Sequence, residues 1–143
     1  MIDGLKKWLD GKAHSLAMVL HEWVGRREKM EIDGLEEWRD GKAHTLAVVL
    51  HGWVGSREKL KDVTEAIKVA LGPKGGIDVY VPQLPYRRWW STARATTMVI
   101  KLMLDIDRII EERGDYQRII LIGHSMGGVL GRRLFLLAAG IPP

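Results

Sequence analysis

The sequence contains no cysteine. That removes disulfides, thiolate catalysis and cysteine-ligated zinc together. It also lacks a signal-peptide core at its N-terminus, Met1-Ile2-Asp3-Gly4-Leu5-Lys6-Lys7, so the expected location is cytoplasmic. No stretch approaches the roughly 20 apolar residues of a membrane span. No basic stripe or aromatic-rich basic motif appears. The 22 basic and 18 acidic residues are interspersed at a net charge of +4, and nucleic acid is not an expected partner. Against these absences stand 143 residues with 46% apolar content, enough for a single α/β domain over 1–143 with a real core.

What the chain does have is an internal duplication. Residues 2–30 and 32–60 align at an offset of 30 and match at 21 of 29 positions. Asp10-Gly11-Lys12-Ala13-His14 returns as Asp40-Gly41-Lys42-Ala43-His44, and Leu20-His21-Glu22-Trp23 returns as Leu50-His51-Gly52-Trp53. A solenoid needs at least about three repeats to bury a shared core, so two copies followed by unrelated sequence point to a segmental duplication. The copies differ at a telling place. A glycine directly after an apolar strand lets the backbone turn and approach a ligand closely. Copy two has Gly52 there and copy one has Glu22, whose carboxylate would sit near a developing negative charge. The working loop is therefore assigned to copy two.

Periodicity gives the remaining elements. Leu16–Leu20 and Leu46–Leu50 are short apolar runs expected to be buried strands. Between them, 25–41 is long enough for a helical crossover. From Ser56 a helical pattern puts Leu60, Val63, Ile67 and Leu71 on one face and ends at Gly72-Pro73. Ile77–Val81 is the next strand. Residues 82–90 form a loop, and 95–113 a long amphipathic helix with Met98, Leu102, Ile106 and Ile109 on its apolar side. Arg118–Ile122 is expected to be a buried strand and 128–139 a helix. Alternating strands and helices imply a three-layer α/β fold with a mostly parallel sheet.

Between those last two elements lies Gly123-His124-Ser125-Met126-Gly127, a G-x-S-x-G in strand–turn–helix context. In such an elbow the serine occupies a strained turn, so the residues two before and two after must be small. The following helix aims its unpaired N–H groups at the serine, where an oxyanion would develop. The same glycines do not make a phosphate loop, because no lysine follows them.

From about residue 43 onward the chain resembles the N-terminal half of an α/β-hydrolase of the esterase and lipase kind. The carrying residues are His51-Gly52-Trp53 after one strand and Gly123-His124-Ser125-Met126-Gly127-Gly128 two strands later. The resemblance implies a carboxylic ester hydrolase acting on a small ester or lactone without a cofactor. Ser125 would be its nucleophile, and the backbone N–H groups of Met126 and Trp53 would form its oxyanion hole. It makes His51 a loop-shaping residue. The family sets its acid and its catalytic histidine after the elbow helix, and no residue through Pro143 matches either, so the expectation is a truncated fold with an incomplete triad. His51 and His21 are the candidates for an improvised base. A serine hydroxyl is a poor nucleophile without one.

Other groups have plainer readings. His14, His21, His44 and His51 do not suit a metal site, because the pair within each copy is seven apart across a strand and points to opposite faces. Trp8, Trp23, Trp38 and Trp53 are repeat residues suited to packing, with Trp53 also able to border an acyl pocket. Arg87, Arg88, Trp89 and Trp90 suit a mixed surface loop, and Arg132-Arg133 a solvated face. An apolar parallel strand left at a sheet edge invites another chain. The expected assembly is a homo-oligomer, through the sheet edge or by swapping copy one. The alternative to a hydrolase is a non-catalytic fragment acting as a self-assembling scaffold or binding module.

Overall fold

The computed structural model describes residues 32–38, 42–53, 55–84, 92–114 and 116–141, with backbone alone for 92–94. Residues 32–134 form one compact unit, and the end of the last helix, from Phe135, belongs to another. The order is β1 (Leu35–Glu36), β2 (Thr45–Leu50), a 3-10 turn (Arg57–Leu60) running into α1 (Lys61–Leu71), β3 (Ile77–Tyr80), α2 (Thr92–Arg113), β4 (Arg118–Gly123) and α3 (Met126–Ala138). The strands lie in the order β1-β3-β2-β4. β2 pairs in parallel with both β3 and β4, and the two-residue β1 runs antiparallel to β3. The fold is mixed α/β with a mostly parallel sheet.

β2 is central because its side chains are apolar on both faces, and all six of its residues are buried. On one face Ala47 and Val49 join Ile77, Val79, Val81 and Leu60, with Ile67, Leu71 and Trp38 packed against them. On the other, the alternate residues of β3 reach α2. Tyr80 donates its hydroxyl to Asp105 at 2.8 Å, and Arg113 Nε donates to Asp78 at 3.4 Å. Helices therefore cover both faces, giving three layers. α2 presents Met98, Leu102, Ile106 and Ile109 to the core, as its period predicts.

Three expectations change. The helical crossover over 25–41 is absent from its described part. Residues 32–38 instead turn at Gly34, at φ +89°, and add β1 to the sheet. Arg57 holds that turn in place, pairing with Asp33 through two bonds of 2.9 and 3.0 Å. On α1, Val63 is exposed and Thr64 is buried. Leu60, Ile67 and Leu71 keep their place on the core, and at 100° per residue Thr64 lies closer to the centre of that stripe than Val63 does. Finally, β4 is only half buried along Ile119–Ile122, because among the described residues it pairs with β2 alone. The strand of copy one, Leu16–Leu20, and the loop tryptophans Trp89 and Trp90 lie outside the described residues, as do His14, His21, Trp8 and Trp23.

Candidate functional site

At the C-terminal end of β4 the chain turns sharply into α3, and Ser125 sits on the turn with φ +54°. It is the only described non-glycine residue at positive φ, a region costly for a side chain. The turn is closed by N–H bonds from Gly127 to the His124 carbonyl (3.0 Å) and from Gly128 to the Ser125 carbonyl (2.9 Å).

The flanking glycines are there because backbone meets backbone. A Cβ at Gly123 would lie 2.4 Å from the Gly128 nitrogen, and one at Gly127 would lie 2.2 Å from the Leu50 carbonyl oxygen. Neither contact is sterically possible. The small residues at both ends of G-x-S-x-G thus let the elbow fold on itself and press against the end of β2.

The loop after β2 meets this turn. A Cβ at Gly52 would come within 3.1 Å of both the Ser125 Cβ and the His124 Nδ1. The absence of a side chain at position 52 is what admits Ser125 and His124 to the same corner. Trp53 follows, with about half its surface exposed (49%).

His51 is buried and locks this loop. The Leu84 backbone N–H donates to its Nε2 at 3.0 Å, so the ring proton resides on Nδ1, which donates to the Gly52 carbonyl at 3.0 Å. Both ring nitrogens are spent on backbone. The resemblance to the α/β-hydrolases implies a loop-shaping His51. Its tie to Leu84 was not legible, because that partner lies 33 residues away.

Two further groups were missed. Arg57 donates Nε to the Val81 carbonyl (2.7 Å) while its other nitrogens hold Asp33, so it staples the segment after β3 to the start of β1. Its guanidinium holds the Asp33 carboxyl below its ordinary value. Asp78, on β3 at the opposite end of the sheet, is fully buried and accepts from the Trp38 N–H, the Tyr116 hydroxyl and Arg113. Burial first, and the Asp78 carboxylate second, push the Tyr116 hydroxyl well above its usual range. The signal was a lone aspartate in an apolar strand. Its three donors lie 35 to 40 residues away on one side or the other, so the pattern does not reveal them.

Of the residues singled out from sequence, the structure brings together Ser125, Met126, His124 and the Gly52 end of the His51–Trp53 loop. His21 falls outside the described residues. Among the described residues no group of histidines and carboxylates is placed to hold a metal ion, and no helix is long and apolar enough to cross a membrane.

A mostly parallel sheet covered on both faces, with a serine at left-handed φ between a strand and a helix N-terminus, defines an α/β protein of the serine-elbow type. The model of the alpha/beta hydrolase family matches residues 47–142, about two thirds of the chain, and the protein belongs to that family. Neither the curated proteins nor the solved structures compared with it gave a match.

Proposed function

We propose that the chain is a serine-dependent acyl hydrolase acting on small esters or lactones. The observation that carries this reading is the left-handed φ of Ser125, held between close-packed glycines beside Gly52. In the proposed reaction the Ser125 Oγ attacks the acyl carbon and the alkoxide leaves with a proton. Water then releases the acid from the acyl-serine. The N–H of Met126, first residue of α3, has no intrahelical acceptor. Together with the Trp53 N–H it would receive the oxyanion, a contribution typically worth about 10²–10³ in rate per donor.

The general base is assigned by what each histidine is doing. His51 is a positioning residue, because its ring nitrogens hold Gly52 and Leu84. His124 is the described imidazole bordering Ser125, and His21 is the candidate from the duplicated segment. A positioned base contributes about 10²–10⁴-fold.

The test is turnover of a short-chain chromogenic ester by the wild-type chain, Ser125→Ala and His124→Gln. Loss of turnover in Ser125→Ala is the expected result. Equal rates in wild type and Ser125→Ala would overturn the reading.

A second reading, a self-assembling module, is favoured by one observation. The apolar strand β4 is half exposed along its length. It would add strands from a second copy at that edge, or exchange copy one between protomers. Light scattering at micromolar concentration distinguishes an oligomer from the monomer that would exclude it.

A further inference from the structure

The central slot of the sheet is filled by one copy of a sequence that the chain carries twice. Apart from Gly52, every described position of copy two that is buried at the slot has an identical or closely matched residue in copy one. Leu46, Ala47, Val49, Leu50 and His51 are answered by Leu16, Ala17, Val19, Leu20 and His21, and Val48 and Leu60 by Met18 and Met30. Methionine is the side chain best able to adapt to such a replacement. The staple is duplicated too, since Asp33, Gly34, Trp38 and Arg57 correspond to Asp3, Gly4, Trp8 and Arg27. By its core residues, copy one fits the place that copy two occupies.

The differences between the copies fall where they discriminate. Glu36 pairs with Lys68, and Glu37 pairs with Arg113 at 3.0 Å. Copy one has Lys6 and Lys7 at these positions, which would face Lys68 and Arg113 with like charge. Gly52, which could bear a Cβ only 3.1 Å from Ser125, is answered by Glu22. Copy two is also continuous with α1, whereas copy one in the slot would loop out residues 31–60. Such loops cost entropy that grows only slowly with length.

We infer that residues 2–30 and 32–60 are alternative occupants of this one slot within a single chain. Positions 36, 37 and 52 select copy two. The exchange stands without the hydrolase reading.

The experiment is amide hydrogen exchange by mass spectrometry on the full chain. Peptides of the two copies are told apart by Met18 against Val48 and Glu22 against Gly52. Val49→Asp puts a charge into the core and evicts copy two. The expected result is that protection of 15–20 in Val49→Asp rises on the order of 100-fold over wild type, while 77–80 and 118–123 stay protected. Val19→Asp, the matched control, should leave 45–50 protected.

A third variant adds Lys6→Glu and Lys7→Glu to Val49→Asp, restoring the pairs to Lys68 and Arg113, so that a charge mismatch is not mistaken for failure to fit. Loss of protection across the sheet in both Val49→Asp variants would overturn the inference. So would collapse in Val19→Asp, or protection of 15–20 that rises with protein concentration.

Discussion

The two ends of the parallel strands treat polar groups in opposite ways. At the N-terminal end, Asp78 is buried with three donors around its carboxylate, drawn from the β1 segment, α2 and the residue run before β4. At the C-terminal end, glycine backbone replaces side chains, Ser125 is held in a costly conformation, and the serine and His124 face solvent. A saturated buried charge holds a fold together. A strained, exposed hydroxyl beside the first turn of a helix is an arrangement that stability alone does not favour. The contrast is why the first cluster is read as structure and the second as chemistry.

Substitutions at the two ends should separate these roles. The largest effect belongs to Ser125→Ala, which should abolish ester turnover while leaving thermal stability within about 1 kcal/mol, since only an exposed hydroxyl is lost. Gly127→Ala should cost about 4 kcal/mol or more, because its Cβ has no room against the Leu50 carbonyl. Urea denaturation reads that loss, and a stable Gly127→Ala chain would show that the elbow relaxes in solution. Asp78→Ala should cost about 3–5 kcal/mol by leaving Arg113 and Tyr116 without their buried acceptor. The folded fraction of Asp78→Ala should still turn over ester, which is the sharper half of the comparison.

The smallest effect is at the exposed staple. Asp33→Asn should cost no more than about 1 kcal/mol in calorimetry. Because Arg57 lowers the Asp33 pKa in the folded state, the pair stabilises above the ordinary aspartate value. That contribution is lost as pH falls below about 4, so wild type and Asp33→Asn should converge in acid.

Local pattern made much of this legible. The apolar run of β2, the 3.6-residue period of α2 and the spacing of Gly123, Ser125 and Gly127 are each written in adjacent residues, and each stands where expected. What stayed hidden depends on distant partners. His51 is held by Leu84, Asp78 by Trp38 and Tyr116, and Asp33 by Arg57. The segment 32–38 departs from the expected helical crossover because β3 and Arg57 decide its path, not its own periodicity. On α1 the apolar Val63 points away from the stripe that Leu60, Ile67 and Leu71 define, and the polar Thr64 takes the buried place, which side-chain polarity alone does not announce.

The most direct test of the central claim, that the C-terminal end of β4 is a chemical site, is to locate a fluorophosphonate adduct by peptide mass spectrometry. The account predicts a single adduct, on Ser125, formed by the folded chain and abolished by prior denaturation. An adduct spread over other hydroxyls, or none on Ser125 while the sheet remains protected from exchange, would contradict it.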